Sequence, residues 1–273
     1  MAEPRSNIAS MDPLWDQILF EARQAVVDEP LIGGFVHACI LHHKSLEKAL
    51  SYRIAAKLAS NEMSMMVVRD VVEQAFSSDP SLISASRADL AAIYERDPAC
   101  HRLLQPILYF KGYQAIQAYR IAHHLWTKGQ SDLAYFFQMR VSEIFGVDIH
   151  PAAVIGKGIM IDHAHSVVIG ETAVVGDNVS MLHSVTLGGT GKEEEDRHPK
   201  IGNGVLIGAG AKVLGNITVG HCSRIAAGSV VLEAVPACKT VAGIPARIVG
   251  EAGCDQPSVS MNHMLGPWEQ SEN

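Results

Sequence analysis

The sequence is poor in aromatic and charged residues and lacks any long apolar run. Aromatic side chains make up 6% of the 273 residues and charged ones 19%, and the formal net charge is −7. A chain without an excess of basic residues has no electrostatic field to attract nucleic acid or an anionic membrane. No stretch reaches the roughly 18 apolar residues of a membrane span, and residues 1–17 contain no apolar signal region. We therefore expect neither a nucleic-acid nor a membrane partner.

Cysteine is also scarce, and its spacing shows no pairing motif. The five cysteines include no CxxC, and an odd number argues against a secreted disulfide framework or a zinc finger. Among the thirteen histidines, His37 and His42 lie five residues apart, which puts them on different faces of a helix. His163 and His165 alternate without an evident third ligand. These observations predict reduced thiols, a cytoplasmic location and no metal site.

The period of the apolar residues divides the chain into two parts. From about 12 to 145 they recur at spacings of three and four, typical of amphipathic helices, and after Gly146 the period becomes six. We predict an α+β protein with an all-helical N-terminal domain over 1–146, a second domain over 147–250 and a flexible tail over 251–273, rich in polar residues and proline. The expected helices span 12–28, 31–43, 45–60, 64–77, 80–95, 105–128 and 131–145.

Thirteen aliphatic positions keep the six-residue register of the second part. Each hexad is expected to form one short strand and a turn, and three hexads complete one triangular coil. The aliphatic side chains then stack into an internal column. This pattern predicts a parallel β-helix of four to five coils. The positions are Ile149, Ile155, Ile161, Val167, Ala173, Val179, Val185, Ile201, Ile207, Val213, Val219, Ile225 and Val231.

The register breaks once, at GGTGKEEEDRHPK, residues 188–200. A coil cannot accept ten extra residues within a strand, so we predict that they leave the prism as a loop, where function often concentrates. The P-loop pattern GxxxxGK[ST] is not met, because Thr186 replaces its first glycine and Glu193 follows the lysine. Arg197 and His198 offer a carboxylate-binding fork and a titratable donor. A solvated loop without a function fits the composition equally well.

Three further polar residues flank the aliphatic column and can point outward: Asp148, Asp162 and His163. A histidine beside a carboxylate is a candidate general base, because imidazole titrates near neutral pH and a carboxylate can fix its tautomer. The spacing does not choose between Asp148 and Asp162 as that partner. The alternative for His163 is a buried, structural histidine.

Several segments together resemble bacterial serine O-acetyltransferase, of the hexapeptide-repeat acyltransferase superfamily. The resemblance extends to about Gly250 and implies a left-handed parallel β-helix. It also implies transfer of the acetyl group of acetyl-CoA to the hydroxyl of L-serine, giving O-acetyl-L-serine and CoA, the first step of cysteine biosynthesis from serine. The segments are ERDPAC, LLQPILYFKGYQAIQAYRIAHHLW, VDIHPAA, GIMIDHAHSVVIGETAVVGDNV, SVTLGGTGK, DRHPKIGNGVLIGAGAKVLGNI and AGIPARIVG.

The resemblance assigns roles to matching residues. His163 matches the general base that takes the serine hydroxyl proton, and Asp148 matches the residue that orients its imidazole. Four more residues match the groups that hold the amino acid, two acids at its ammonium end and two basic groups at its carboxylate end: Asp97, Asp162, Arg197 and His198.

Acetyl-CoA is expected along the prism and the loop. By resemblance the head of the loop, Gly189 and Thr190, lies along the pantetheine arm. Small side chains at Ala209 and Ala227 would let the arm approach, and Arg247 would meet a phosphate. The reaction needs no acyl-enzyme and no metal.

The family also implies an assembly and a regulator. Prisms trimerise with active sites between neighbouring subunits, helical halves join two trimers into a hexamer, and L-cysteine inhibits from the serine pocket. A complex with O-acetylserine sulfhydrylase uses a C-terminal isoleucine in many relatives, but here the last residue is Asn273. A polar side chain desolvates poorly in an apolar pocket, which argues against that complex. Two other functions stay open: acetyl transfer to a sugar or xenobiotic hydroxyl, and a non-catalytic β-helical scaffold.

Overall fold

The computed structural model describes residues 12–191, 194–253 and 256–265. Within these ranges a helical region precedes a parallel β-helix, which confirms the predicted fold class. No helix there is long and apolar enough to cross a membrane. Asn273, on which the prediction about the sulfhydrylase depends, lies outside the described residues.

The helices begin and end close to the predicted positions. Asp12 caps α1 by accepting a hydrogen bond from the backbone N–H of Trp15 at 3.1 Å, and Ser64 and Asp79 cap α4 and α5 in the same way. α2 runs directly into a π-helical turn. The elements are α1 Pro13–Asp28, a 3₁₀ turn Pro30–Ile32, α2 Gly33–Val36, the π-turn His37–Leu41, α3 Leu46–Leu58, α4 Met65–Ser78, α5 Pro80–Arg96, α6 Leu104–Leu108, α7 Lys111–Thr127 and α8 Ser131–Phe145.

Three parallel sheets form the faces of the β-helix, and only the hairpin β14–β15 is antiparallel among the described strands. Sheet A contains β1, β4, β7, β10 and β13; sheet B contains β2, β5, β8 and β11; sheet C contains the others. The strands are β1 Val147–Ile149, β2 Val154–Ile155, β3 Met160–Ile161, β4 Val167–Ile169, β5 Val174–Val175, β6 Ser180–Met181, β7 Thr186–Gly188, β8 Lys200–Ile201, β9 Leu206–Ile207, β10 Lys212–Leu214, β11 Thr218–Val219, β12 Arg224–Ile225, β13 Val230–Val231, β14 Lys239–Gly243 and β15 Ala246–Glu251.

The predicted aliphatic column fills the interior of the β-helix. All thirteen hexad positions belong to the core or pack against it, and all except the partly buried Ile155 are at most 5% exposed. The insertion leaves the coil path intact. β7 ends at Gly188 and β8 begins at Lys200, which pairs with Val174 of β5 in regular register.

Two of the three edges of the prism contain most of the polar residues predicted to form the site. The CA edge, where the chain passes from sheet C to sheet A, comprises the turns 162–166, 182–185, 208–211 and 226–229. Backbone hydrogen bonds connect successive turns there, such as Ser184 N–H to the carbonyl of His165 at 2.7 Å. The AB edge, where the chain passes from sheet A to sheet B, includes the turns 150–153, 170–173 and 215–217 and the loop between β7 and β8.

Buried polar contacts hold the helices to the first coil. Asp89 of α5 is fully buried and accepts hydrogen bonds from Arg120 of α7 at 2.7 Å and from the backbone N–H of Ile159 at 2.8 Å. Arg120 also donates to the carbonyl of Gly156 at 2.8 Å. Burying charges is unfavourable unless they are paired and hydrogen-bonded, and this pair is both. Arg96 adds a bond to the carbonyl of Gly158 at 2.9 Å, which fixes the end of α5.

The helix predicted over 105–128 is in fact two helices. Tyr109 and Phe110 have non-helical dihedral angles and separate α6 from α7. The side chain of Gln114 donates a hydrogen bond to the carbonyl of Ile107 at 2.9 Å. The Ile107 carbonyl therefore has a partner although the helix is broken after it. The new direction brings Gly112, in the first turn of α7, against the backbone of Ile161 on β3.

Part of the predicted tail lies against the β-helix. Within 251–273, a short helix α9, Pro257–Ser260, packs on sheet C, and the Ser180 hydroxyl donates to the carbonyl of Ser258 at 2.8 Å. Arg224 donates to the carbonyl of Asn262 at 2.8 Å. Residues 256–265 therefore lie where the face of sheet C offers polar partners for their backbone. The flexibility of the tail stays a prediction.

Candidate active site

A pocket of about 480 Å³ opens where α5, the turn between α6 and α7, and β3 meet. Asp97, Asp162 and His163 all line it. These residues come from the two halves of the chain. They are brought together by the hydrogen bonds of Asp89, Arg120 and Arg96 to the first coil, which we call the clamp. The structure thus places three of the sequence-predicted site residues around one cavity.

Asp97 lines this pocket from the C-terminal end of α5. Its side-chain Oδ1 accepts a hydrogen bond from the backbone N–H of Ala99 at 2.8 Å, which fixes the carboxylate. The preceding residue, Arg96, is the one bonded to the first coil. Asp97 is therefore held in a defined position relative to Asp162.

His163 extends from the CA edge into solvent, with its side chain 71% exposed. This exposure rules out the buried structural role that the sequence left open. Its Nε2 lies 3.6 Å from Oδ2 of Asp162, and its ring lies edge-on to that of His183 with centroids 5.7 Å apart. The backbone φ of 56° is left-handed, but it recurs at Ser184 and other turns and so belongs to the coil geometry. The arrangement is an accessible imidazole beside a carboxylate, which suits proton transfer.

Asp148 lies on the outer face of sheet A, in the middle of β1. Its carboxylate accepts a hydrogen bond from Gln138 of α8 at 2.7 Å. Within one chain, the carboxylate found within 4 Å of the His163 ring is that of Asp162. The orienting role of Asp148 stays a prediction.

At the AB edge, one hydroxyl organises the end of the loop. Oγ1 of Thr172 accepts hydrogen bonds from the backbone N–H groups of Arg197 and His198 at 3.0 and 3.1 Å. The same Oγ1 lies 2.9 Å from Nδ1 of His198. That Nδ1 accepts a hydrogen bond from the backbone N–H of Thr172 at 3.2 Å. Because Nδ1 is an acceptor, a neutral His198 carries its proton on Nε2.

Neighbouring groups fix the two loop side chains further. Arg197 donates to the carboxylate of Glu171 at 2.6 Å, and this bond lowers the pKa of Glu171. The ring of His198 packs on Gly170 so closely that an added Cβ would lie 2.0 Å from it. Burial, and secondarily the charge of Arg197, lowers the pKa of His198 and so favours the neutral imidazole. The loop end therefore presents an arginine and a neutral histidine.

The two groups lie on different edges of the prism. Asp162 and His163 are on the CA edge, whereas Arg197 and His198 are on the AB edge, separated by the width of sheet A. One chain therefore does not bring together all the residues predicted to hold the amino acid.

The residues predicted to bind CoA divide in the same way. Ala209 and Ala227 follow His163 along the CA edge, joined through the bond from Gly228 N–H to the carbonyl of Ala209 at 2.8 Å. Gly189 and Thr190 begin the loop at the AB edge. Arg247 lies on β15, 61% exposed and 3.6 Å from Glu233, apart from both groups.

Sequence reasoning missed several residues of these sites. Tyr109, Phe110 and Lys111 line the pocket, and Glu171 and Thr172 hold the loop. The segments LYFKGY and GET contain them, but neither pattern indicates a contact that forms only in three dimensions. In the described parts of the chain, no three metal-ligating side chains group together.

Comparison with known proteins identifies close relatives. The family model described as "Serine acetyltransferase, N-terminal" matches residues 14–118, and "Bacterial transferase hexapeptide (six repeats)" matches residues 198–233. A serine acetyltransferase of Salmonella typhimurium is 54% identical over 92% of both chains.

Two solved structures share both the sequence and the fold. The serine acetyltransferase of Brucella abortus in complex with coenzyme A is 54% identical, with a TM-score of 0.88 over 89% of this chain and 97% of that one. A serine acetyltransferase in complex with cysteine is 49% identical, with a TM-score of 0.90 over 92% and 98%. At this identity and coverage, the chain belongs to the serine acetyltransferase family.

Proposed function

We propose that this protein transfers the acetyl group of acetyl-CoA to the hydroxyl of L-serine. The observation that carries the proposal is the convergence of Asp97, Asp162 and His163 on one pocket. The two carboxylates are suited to a substrate ammonium group, and the exposed imidazole to a nearby hydroxyl. The CoA complex of the Brucella relative supports the choice of acetyl donor.

The reaction proceeds by direct attack. His163 takes the proton from the serine hydroxyl as its oxygen attacks the thioester carbonyl carbon. The C–S bond then breaks, and the imidazolium returns the proton to the CoA sulfur. A positioned base contributes roughly 10²- to 10⁴-fold to such a step, and holding both reactants in place contributes much of the remainder.

The division of the site between two edges supports a shared active site. We propose that the CA edge of one subunit faces the AB edge of the next around a threefold axis, and that two trimers join through their helical regions. The partner subunit's Arg197 and the partner subunit's His198 then hold the serine carboxylate, while Asp97 and Asp162 hold its ammonium group. Asp148 orients His163 in this assembly, and the CoA arm runs along Ala209 and Ala227.

Release of CoA thiol from acetyl-CoA tests the reaction. We expect release that depends on L-serine and falls roughly 10²- to 10⁴-fold in His163→Ala. His165→Ala is the matched control, because His165 is an exposed histidine of the same turn that does not line the pocket. Release only with sugar or xenobiotic acceptors would replace serine as the substrate. No release with any acceptor would support the scaffold alternative.

Mixing two inactive variants tests the shared site. Refolded together at a 1:1 ratio, His163→Ala and Arg197→Ala form interfaces of which about one quarter combine an intact His163 with an intact Arg197 from the partner. We expect activity to return to about that fraction of wild type. A mixture as inactive as its components, although the two variants co-assemble, would contradict the shared site.

L-Cysteine is expected to inhibit the enzyme. It differs from serine by sulfur in place of oxygen, so the same carboxylates can hold its ammonium group, and a relative has been solved in complex with cysteine. Serine-dependent release should therefore fall as cysteine is added, with serine competing. Unchanged activity well above physiological cysteine would contradict this. Pull-down with O-acetylserine sulfhydrylase tests whether the other predicted partner binds.

A further inference from the structure

A second pocket adjoins the candidate active site, and acetyl transfer does not explain its charge. Its volume is about 540 Å³, and it lies between α3, the turn between α6 and α7, and the end of α8. Tyr109 and Lys111 line both pockets. Its charged lining side chains are Arg53, Lys57 and Lys111, and none of the described residues that line it is acidic. Three cations in one cavity are unusual in a protein whose net charge is −7.

Arg53 is the centre of this positive charge. It is only 8% exposed, and one of its terminal nitrogens donates to the carbonyl of Leu108 at 2.7 Å. Its guanidinium also lies 5.2 Å from the centroid of the Phe35 ring. Its Nε is buried without a hydrogen-bond partner of normal geometry in the described structure, and the only side-chain acceptor found beside the guanidinium there is the weakly accepting Cys39 thiol. None of the ion pairs found there includes Arg53. A buried guanidinium with an unused N–H group is unfavourable, and an anion would remove that cost.

The other two cations reinforce this field. Burial and the neighbouring Arg53 lower the pKa of Lys57, so its ammonium is held where positive charge is disfavoured. Lys111 lies 3.4 Å from Nδ1 of His165, and its charge also borders the cavity. The remaining lining includes Phe35, Ile144 and Phe145, which form an apolar wall.

We propose that this pocket is a binding site for a small oxyanion of the phosphate class, distinct from the site that holds the amino acid. Arg53 binds the oxyanion with its guanidinium, and Lys57 and Lys111 add point charges. The apolar wall accommodates a small organic group if the phosphate carries one. The site adjoins the candidate active site and shares Tyr109 and Lys111 with it, but no step of the acetyl transfer uses the bound oxyanion.

Thermal unfolding of the full-length protein tests the proposal without measuring activity. Inorganic phosphate, titrated at constant ionic strength against chloride, should raise Tm in a saturable way, because a ligand that binds only the folded state stabilises it. Arg53→Met keeps the length of the side chain and removes the charge. A hydrogen bond to a charged group is worth about 1.5–3 kcal/mol, so this variant should bind phosphate about 10- to 100-fold more weakly. Lys57→Met should weaken binding as well and provides a second variant.

The matched control is Lys48→Met, an exposed cation on the same helix that pairs with Glu73 away from the pocket. It should bind phosphate as wild type does. The proposal would be overturned if the Tm of wild type did not respond to phosphate. It would also be overturned if Arg53→Met and Lys57→Met both responded as strongly as wild type. Phenyl phosphate identifies the source of the anion: tighter binding than inorganic phosphate indicates an organic phosphate, and equal binding indicates the inorganic ion.

Discussion

Gly112 is predicted to be the position where the smallest substitution does the most damage. It lies in the first turn of α7, against β3, and lines the pocket of the candidate active site. A Cβ at this position would lie 1.9 Å from the carbonyl oxygen of Ile161 and 3.3 Å from Cβ of Ala164. The nearest atom is backbone, so no side-chain rotation can relieve the contact.

The size of the effect follows from these distances. Carbon–oxygen contacts between neighbouring backbones are about 3.3 Å or longer, so α7 must move by about 1.4 Å in Gly112→Ala. Overpacking of this kind costs about 1–3 kcal/mol, and a contact with unyielding backbone belongs at the upper end of that range. Set against the roughly 1 kcal/mol that alanine gains over glycine in a helix, the net loss is about 2 kcal/mol. A displacement of about 1 Å can also reduce catalysis by about 100-fold, and the moving turn contains Lys111 of the pocket.

Thermal unfolding and serine-dependent CoA release measure both effects. We expect Gly112→Ala to lower Tm by several degrees and kcat/KM by roughly 100-fold. Gly34→Ala is the matched control, since Gly34 is also helical and its added Cβ would meet nothing within 4 Å. Wild-type Tm and kcat/KM in Gly112→Ala would refute the argument that this close approach positions the site.

Three more predictions concern the loop, the clamp and acid stability. Thr172→Val removes the acceptor for two backbone N–H groups and should raise KM for serine about tenfold, with a smaller change in kcat. Thr172→Ser keeps the hydroxyl and should have the wild-type KM. An unchanged KM in Thr172→Val would contradict the role of Thr172 in holding the loop. Asp89→Asn leaves Arg120 without its counter-charge and should lower the free energy of unfolding, measured with urea, by about 3–5 kcal/mol. A loss under about 1 kcal/mol would refute the stabilising role of the clamp. Because burial lowers the pKa of His198 below its ordinary 6.5, the unfolded state binds the proton first, so stability should fall as pH drops below 6.5. His198→Gln should lose less stability than wild type over that range, and an equal loss would contradict the assignment.

The β-helix could be predicted in detail because its signal is repeated. Each hexad position is an independent observation, and a polar side chain at any of them would have to be buried. The break between α6 and α7 could not be predicted, because apolar residues continue through LLQPILYFKGYQ at helical spacing. In the structure Gly112, in the first turn of α7, packs on Ile161, and this contact joins residues far apart in the sequence.

Only some residues of the candidate site could be predicted, because the others depend on contacts between residues far apart in the sequence. His163 and Asp162 are adjacent, and their position beside the aliphatic column indicated that they point outward. Thr172 lies 25 residues before Arg197, to which it bonds, and nothing in its own segment indicates a partner. Arg53 gives no signal at all, because a lone arginine in a helical pattern is ordinarily on the surface.

The contacts of Asp89 with both Arg120 and Ile159 also set a direction for unfolding. In a solenoid each coil is stabilised only by its neighbours, so a free coil can open before the rest. Here the first coil is tied to buried helices, while the far end is closed by a hairpin whose outer strand is largely exposed. Opening should therefore start from that end, and amide hydrogens of β12 and β13 should exchange before those of β1 to β3. The helical region thus anchors the N-terminal end of the β-helix, so that the coils open from the C-terminal end only.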